Sequence, residues 1–296
     1  MGNPYLSAAA LLPEPWRQAA YALPLGEQHR AEELRLRLGQ SVTVLLPTGE
    51  RPLPASIPVT AAALRDLLER ATGASVHAAA DGLRQGFFTA RGGCRIGFCG
   101  QGVTENGVLR TLRSISSAAI RIPRALPGCA DGLFPALWEN GAGSSVLLLS
   151  PPGGGKTTLV RELIRLFSLA GKRVAVLDER GEIGGGWEGA PGFSLGPNTD
   201  VLTGVGKAEG AMLLLRAMNP QMLAMDEITA PEDLDAIALA VGCGVQLLAT
   251  AHAPDAAALQ KRPLYRETLS LGAFDKAVVI RKAADGTRLL HVEALL

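Results

Sequence analysis

The chain has 296 residues, a length that suits two domains, each large enough to bury its own core. Its formal net charge is only +1, so no overall electrostatic field favours binding to nucleic acid or to an anionic membrane. The four cysteines have neither Cys-x-x-Cys spacing nor a histidine at metal-ligand spacing, and we expect them to be free cytosolic thiols.

The N-terminal segment lacks the features of a signal peptide. Pro4, Pro13 and Pro15 interrupt its apolar residues, and no basic leader precedes them. The longest uncharged stretch of the chain, residues 236–251, has 16 residues, whereas roughly 20 are needed to span a bilayer. These features predict a soluble, intracellular protein.

The first half of the chain is predicted to be a small α+β domain. Residues 33–38 alternate apolar and basic side chains with a period of two, and the segment Ser41-Val-Thr-Val-Leu-Leu46 follows, so we expect two half-buried strands. Residues 64–71 have the apolar spacing of a short amphipathic helix.

A hairpin and a linker are predicted next. The pair Asn106-Gly107 is a strong turn signal for a β-hairpin. Glycine and serine are concentrated in residues 139–145, a composition typical of a linker. We therefore predict an N-terminal domain over residues 1–140 and a second domain over residues 141–296.

The second half alternates strands and helices. Predicted strands cover residues 146–149, 173–177, 222–225 and 245–250, and predicted helices cover residues 157–169, 208–218 and 232–241. Apolar strands separated by helices predict a mostly parallel sheet covered on both faces, that is, an α/β domain. The motif Thr229-Ala-Pro-Glu232 is interpreted as a capping box for the last of these helices.

The C-terminal tail departs from this alternation. Residues 276–281 and 288–292, separated by Asp285-Gly286, predict an antiparallel hairpin at the edge of the sheet.

A glycine-rich loop between the first of these strands and its helix is the strongest functional signal. It predicts a site for ATP and Mg²⁺, because backbone N–H groups and the helix N-terminus can surround phosphate oxygens. In this Walker A pattern, Lys156 reaches the β- and γ-phosphates and the Thr157 hydroxyl ligates Mg²⁺. The predicted nucleotide-binding residues are Pro152, Gly153, Gly154, Gly155, Lys156, Thr157 and Thr158.

One position departs from the usual pattern of this loop. Ser150 stands where G-x-x-x-x-G-K-[ST] has its first glycine, and we expect this small residue to be tolerated. The alternative is a glycine-rich turn that happens to precede a lysine.

Carboxylates end another predicted strand. Asp226 and Glu227 follow an apolar run, and in a parallel sheet the strand ends meet at one edge, where ligands bind. We predict that Asp226 binds the Mg²⁺ water shell and that Glu227 orients and deprotonates the attacking water. The alternative is an ordinary polar strand end.

Two further strand ends carry candidate residues. Three carboxylates and one arginine lie within residues 178–182, among them Glu179, and either position water or phosphate or form an ion-paired loop. Thr250 and His252 end a later strand, where they are placed to sense the γ-phosphate, although a lone histidine is often structural. We keep Glu179 and His252 as candidate catalytic residues.

Together, these motifs carry a resemblance to a known family. They cover residues 32–37, 93–97, 103–107, 114–123, 150–158, 177–180, 200–204, 207–210, 218–220 and 225–228. The chain resembles the stage III sporulation protein AA family, bacterial sporulation ATPases similar to the secretion and type IV pilus ATPases of the RecA-like superfamily. The resemblance covers nearly the whole chain and implies a RecA-like P-loop ATPase domain after a smaller α+β domain.

The resemblance implies a function and partners. It implies a cytoplasmic homohexamer that hydrolyses ATP and energises a secretion-like channel between mother cell and forespore, docked on membrane proteins of that complex. In related secretion ATPases, arginines of the N-terminal domain or linker reach a neighbouring nucleotide. Arg113, Arg121 and Arg124 match that region best. The pair Asp226-Glu227 differs from the Gly-Glu of pilus ATPases, which favours Glu227 as the base and leaves the role of Glu179 open.

Two alternatives remain from the sequence. Related ATPase domains act on single-stranded nucleic acid, and the arginine-rich first half would suit such a surface, although the near-neutral charge and few aromatic residues argue against it. The other alternative is a nucleotide-gated scaffold without turnover, against which Glu227 argues.

Overall fold

The computed structural model describes residues 4–73, 86–90, 94–105, 107–123, 126–139, 141–185, 192–283 and 287–295. The chain forms two compact units. One comprises Met1–Arg124 and Gly185–Gly192, and the other comprises Ala125–Gly184 and Phe193–Leu296. No helix in the described ranges is long and apolar enough to cross a membrane.

The first unit combines short helices with one sheet. Its helices are α1 (Pro4–Leu11), α2 (Trp16–Tyr21), α3 (Leu25–Gln28) and α4 (Ala61–Thr72), and its strands are β1 (Glu33–Arg37), β2 (Thr43–Leu46), β3 (Gly49–Pro52), β4 (Phe88–Ala90), β5 (Cys94–Glu105) and β6 (Val108–Arg121). The strand order is β3-β2-β1-β6-β5-β4, and all neighbours are antiparallel.

The period-two pattern in β1 decides which face of this sheet is buried. Leu34 and Leu36 are fully buried in a core that also includes residues of α1 and α4, whereas Arg35 and Arg37 lie on the other face. The predicted hairpin is confirmed by the antiparallel pairing of β5 with β6, in which Glu105 opposes Val108. Asn106, which predicted the turn, lies outside the described residues.

Helix α4 is longer than its apolar spacing predicts. At its start, the Thr60 hydroxyl accepts a hydrogen bond from the Ala63 amide (3.2 Å), and at its end Gly73 has the left-handed conformation of a C-terminal cap. These two caps add a turn that periodicity alone does not reveal.

The second unit is an α/β domain. Its strands are β7 (Trp138–Glu139), β8 (Ala142–Gly143), β9 (Val146–Leu149), β10 (Val174–Asp178), β11 (Thr199–Thr203), β12 (Met222–Glu227), β13 (Gln246–Ala251), β14 (Lys276–Lys282) and β15 (Arg288–Ala294), and its helices are α5 (Lys156–Leu169), α6 (Lys207–Met218), α7 (Asp233–Gly242), α8 (Ala256–Gln260) and α9 (Pro263–Ser270), with one 3₁₀ turn at Phe134–Ala136. The main sheet has the order β11-β10-β12-β13-β9-β14-β15 and is parallel except for the β14–β15 pair.

Helices cover both faces of the main sheet, as the alternation predicts. Helix α5 packs into one core with one set of strand side chains, and α6 and α7 pack into a second core with the alternate set. The strands of the sheet interior are almost wholly buried because both faces are covered. The edge hairpin is confirmed by β14 and β15, although Asp285-Gly286 lies outside the described residues.

The division between the units lies earlier than the composition predicts. Ala130, Leu133 and Leu137 are buried in the same core as α5, so these residues belong to the second unit. Residues 139–145 do not form a free linker, because β7 pairs with β8 and the Ser145 amide donates to Asp275 Oδ2 (2.7 Å).

The predicted capping box before α7 is wrong. The helix begins at Asp233, and Glu232 makes no side-chain cap. Instead, Asp233 Oδ2 accepts hydrogen bonds from the amides of Thr229 (2.8 Å) and Ala230 (3.1 Å). The Asp233 side chain therefore turns back onto the loop, where it accepts from two backbone donors.

Candidate active site

The glycine-rich loop joins the end of β9 to the start of α5. Gly153 and Gly155 have φ values of +72° and +102°, which side-chain-bearing residues rarely adopt. Gly155 is also the N-cap of α5. The first amides of this helix lack partners within it, so they and the helix dipole form an anion site at the loop.

The serine that replaces the first loop glycine is accommodated by a later glycine. Ser150 is fully buried, and its hydroxyl donates to the Pro151 carbonyl (2.8 Å). A Cβ atom on Gly154 would lie only 2.1 Å from Ser150 Oγ. The loop thus holds a side chain at residue 150 because it has none at residue 154.

One imidazole contacts both the loop lysine and the carboxylate at the end of β12. Lys156 Nζ lies 2.7 Å from His252 Nδ1, and His252 Nε2 lies 2.9 Å from Glu227 Oε2. A protonated Lys156 can only donate, so Nδ1 accepts, and a neutral imidazole then donates from Nε2 to Glu227. Burial lowers the pKa of Lys156, and the carboxylates of Glu227 and Asp226 oppose this shift.

The strand order explains this arrangement. Strand β13 lies between β9 and β12, so the residue that follows it lies between the loop and Glu227. The register of β12 against β13 shifts between Ala224 and Glu227, and such an irregularity changes the direction of the side chains near it. The Thr250 hydroxyl at the end of β13 is buried and has no hydrogen-bond partner among the described residues.

A cavity of about 350 Å³ brings most of the predicted site residues together. Its lining comprises Pro152, Gly153, Gly154, Gly155, Lys156, Thr157, Thr158, Arg180, Glu182, Asp226, Glu227, Thr250 and His252. All seven residues predicted to bind the nucleotide belong to this set, as do both carboxylates of β12. The arrangement offers backbone donors, one ammonium group and three carboxylates within a single polar space.

The carboxylates after β10 have different surroundings. Asp178 is fully buried, and it accepts hydrogen bonds from the amides of Glu182 (2.8 Å), Ile183 (3.0 Å) and Gly184 (2.7 Å). Burial raises the pKa of Asp178, against the lowering effect of these three amides, and the nearby Asp226 raises it further. Asp178 therefore organises the loop that brings Glu182 to the cavity.

Arg161 on α5 holds the same loop from the other side, a role that the sequence analysis missed. It donates to the carbonyl of Ile183 (3.0 Å) and to that of Glu182 (2.5 Å), and its guanidinium stacks on Phe193 at 4.0 Å. Burial lowers its pKa to about 10, with Asp178 among the opposing charges. The sequence shows an arginine on the helix that follows the phosphate loop, but it does not show which way the side chain of that arginine points.

Glu179 and the candidate arginines have other surroundings. Glu179 does not line the cavity, and its Oε2 lies 3.4 Å from Lys207 Nζ. Arg113 and Arg121 belong to the first unit, on β6, and Arg121 pairs with Glu33 (3.1 Å). Arg124 lies outside the described residues.

A second residue that the sequence analysis missed contacts the loop itself. Arg288, the first residue of β15, donates from Nε to the Gly154 carbonyl (2.9 Å). Nothing in the sequence pattern of the tail indicates this contact, since it depends on β15 lying two strands from β9.

The residues present fit a nucleotide-bound magnesium ion better than an ion held by protein alone. No cluster of three or more His, Cys, Asp or Glu side chains suited to a metal occurs in the described part of the chain. Mg²⁺ in phosphate sites commonly takes one or two protein ligands and completes its shell with phosphates and water. Thr157 and Asp226 line the same cavity, and the unpartnered Thr250 hydroxyl leaves a polar group for a ligand there.

Comparison with known sequences gives matches over most of the chain. The profile of a family described as "Sporulation stage III, protein AA" matches residues 24–293. Stage III sporulation protein AA of Bacillus subtilis (strain 168) is 36% identical over 280 residues, which cover 93% of this chain and 90% of that protein.

Comparison with solved structures gives the fold. The Legionella pneumophila ATPase DotB is similar with a TM-score of 0.58 at 14% identity, over 90% of this chain and 76% of that one. The pilus retraction motor PilT with bound ADP is similar with a TM-score of 0.60 at 15% identity, over 90% of this chain and 79% of that one. The chain therefore has a RecA-like fold in common with these two proteins, a mostly parallel α/β sheet with a smaller antiparallel unit before it in the chain, as the resemblance implies.

Proposed function

Because the chain belongs to the stage III sporulation protein AA family, we propose that it is a Mg²⁺-dependent ATPase that acts as the motor of a sporulation complex. The observation that supports this most strongly is the chain of contacts from Lys156 through His252 to Glu227 inside the phosphate-loop cavity. It joins a phosphate-binding cation to a candidate general base.

The protein groups have separate tasks in this proposal. The loop amides and Lys156 Nζ bind the β- and γ-phosphates, and Lys156 exchanges its contact with the Ser150 carbonyl (3.0 Å) for phosphate oxygens. Glu227 accepts the proton of the attacking water, and the N–H at His252 Nε2 holds that carboxylate in place. Thr157 and Asp226 would hold Mg²⁺, which would neutralise negative charge on the phosphates when bound.

The wider role is proposed by likeness to the relatives. We propose a cytoplasmic homohexamer that docks on membrane proteins of a secretion-like channel between mother cell and forespore and energises it. The shared fold with a pilus retraction motor and with DotB is compatible with a motor of this kind.

Two substitutions separate binding from turnover. Lys156→Ala removes the phosphate counter-charge, so we expect it to abolish nucleotide binding without unfolding the protein. Glu227→Gln cannot accept the proton of water, so we expect nucleotide binding to stay and the hydrolysis rate to fall about 10²–10⁴-fold. Binding is measured with a fluorescent ATP analogue and turnover by phosphate release.

Matched controls use exposed residues of the same kind. Lys261→Ala and Glu232→Gln change a lysine and a glutamate that lie outside the cavity, and both should behave as wild type. Retained ATP affinity in folded Lys156→Ala contradicts the phosphate-loop assignment. Unchanged hydrolysis in Glu227→Gln contradicts its role as base and leaves Glu179 or Glu182 as the candidate.

The nucleic-acid alternative has its own readout. Hydrolysis stimulated by single strands, together with binding that weakens steeply with salt, would favour that alternative over the sporulation motor. We expect neither.

A further inference from the structure

An ion cluster of a buried lysine–aspartate pair and a glutamate that is 44% exposed lies beside the proposed site, and the proposed mechanism leaves it unused. Lys207 Nζ lies 3.2 Å from Asp233 Oδ1, 3.3 Å from Asp233 Oδ2 and 3.4 Å from Glu179 Oε2. The Lys207 and Asp233 side chains are only 8% and 7% exposed. We call these three residues the Lys207 cluster.

The cluster joins three segments of the second unit. Glu179 directly follows β10, Lys207 begins α6 and Asp233 begins α7. A buried pair of this kind holds its elements firmly, because removing one partner leaves an uncompensated charge in a low-dielectric surrounding.

The backbone after Glu227 is fixed by the same cluster. Asp233 Oδ2 accepts hydrogen bonds from the Thr229 and Ala230 amides, which lie two and three residues beyond Glu227. The intervening residue is held as well, since the Ile228 amide donates to the Thr250 carbonyl (2.9 Å) and its own carbonyl accepts from the Tyr265 hydroxyl (2.8 Å). These contacts leave the carboxylate of Glu227 on a backbone with little freedom.

We propose that the Lys207 cluster positions the general base: Lys207 and Asp233 are positioning residues that act through the backbone of residues 228–230 on Glu227. Glu179 is then a partner of Lys207 and not a base. The inference rests on the proposed ATPase function. Since a misplacement of about 1 Å at a reacting group can cost about 10²-fold in rate, a loosened loop affects hydrolysis and spares the phosphate contacts, which a different segment makes, the loop after β9.

The first test is Asp233→Asn in the full-length protein. An amide oxygen is a weaker acceptor than a carboxylate for the Thr229 and Ala230 amides and no longer balances Lys207, so we expect kcat to fall about 10–100-fold while the Kd for a non-hydrolysable ATP analogue and the number of sites per chain stay unchanged. Asp235→Asn, an exposed acid in the first turn of the same helix, is the matched control and should keep wild-type kcat.

A second pair of variants tests the lysine. Lys207→Met keeps the apolar stem and removes the charge, so we expect the same selective loss of kcat. Lys207→Arg keeps the charge and should retain most of the wild-type kcat. A general loss of folding would instead lower the number of binding sites per chain in both variants.

A combination with Glu227→Gln identifies the route of the effect. If Asp233 acts through Glu227, Asp233→Asn in the Glu227→Gln background should cause no further loss of rate. In hydrogen–deuterium exchange without nucleotide, the amides of Thr229 and Ala230 should exchange faster in Asp233→Asn than in wild type, while the amides of the phosphate loop should not change.

The outcomes separate this inference from the proposed function. Wild-type protein without ATP turnover contradicts the proposed function and this inference with it. With an active wild type, any of three results overturns the positioning role alone: unchanged kcat in Asp233→Asn, a loss that adds fully to that of Glu227→Gln, or unchanged exchange at residues 229 and 230.

Discussion

Ser150 and Gly154 exchange roles within the phosphate loop. In the usual pattern the residue at the position of Ser150 is glycine, and here its hydroxymethyl group occupies the space above residue 154. Two side chains cannot share that space, so this loop requires glycine at residue 154 instead of at residue 150.

This steric relation predicts that a side chain at residue 154 is harmful alone and is tolerated when residue 150 is glycine. Gly154→Ala places a methyl group 2.1 Å from Ser150 Oγ and 2.6 Å from its Cβ, so we expect nucleotide binding to be lost. Adding Ser150→Gly removes the clash, and the double variant should recover much of the affinity. Isothermal titration with an ATP analogue measures both.

A glycine with open surroundings is the control for this pair. A Cβ at Gly242, in α7, would meet nothing within 4 Å, so Gly242→Ala should bind as wild type does. Normal binding by Gly154→Ala alone, or failure of Ser150→Gly to improve it, would refute the steric account.

Strand β13 and the residue directly after it connect the phosphate loop to Glu227 at the end of β12. Its last residues include Thr250, and His252 follows directly after the strand. The Thr250 hydroxyl is buried without a partner among the described residues, which is a cost to the stability of the nucleotide-free protein of about 1–3 kcal/mol. A polar ligand in the cavity would offset that cost.

Thr250→Val tests whether this hydroxyl serves the ligand. The methyl group has nearly the same shape and no unsatisfied polar atom, so the melting temperature without nucleotide should rise by about 2–4 °C. Turnover should fall, because the hydroxyl no longer faces the phosphate or the attacking water. Differential scanning calorimetry and phosphate release give the two readouts.

Thr268→Val is the matched control for this prediction. Thr268 is equally buried, but its hydroxyl donates to the Leu264 carbonyl (2.9 Å), so this substitution should not raise the melting temperature. A lower melting temperature for Thr250→Val, or unchanged turnover, would refute the role of its hydroxyl.

The arginines expected to bring positive charge to the leaving γ-phosphate belong to the first unit and not to the unit that carries the phosphate loop. Arg113 and Arg121 lie on β6 of the first unit, and the Arg121 side chain is 67% exposed. Where an arginine from another protein chain completes the active site of a nucleotide hydrolase, it contributes about 10³-fold or more to the rate. The family resemblance makes these two residues the candidates.

Subunit mixing tests a contribution in trans. Lys156→Ala and Arg121→Ala should each be inactive alone, and a mixture should regain some hydrolysis because some interfaces pair an intact loop with an intact arginine. Arg113→Ala is tested in parallel, since either arginine fits the prediction. Arg110→Ala, on the same strand and paired with Glu105, is the control and should remain active alone.

Two outcomes would disprove the trans contribution. One is normal hydrolysis by both Arg113→Ala and Arg121→Ala. The other is failure of every mixture to recover activity although native mass spectrometry detects mixed oligomers.

Features that depend on residues close together along the chain were predictable from the amino-acid sequence. Burial of strands on both faces produces continuous apolar runs, and helices produce apolar spacing of three to four residues, so the alternation of the second unit was predictable. The phosphate loop was predictable for the same reason, because its chemistry is contained in one strand, one turn and one helix start.

Features that depend on strand order and on side-chain direction became visible only in the folded chain. The position of β13 between β9 and β12 brings His252 within hydrogen-bond distance of both Lys156 and Glu227, and no local pattern encodes that order. Likewise, Asp178 turns inward to its own loop while Glu179 turns to Lys207, although adjacent carboxylates look alike in a sequence. The physical reason is that each buried charge finds its partner across elements far apart in the chain, and the packing of the sheet decides which partner it meets.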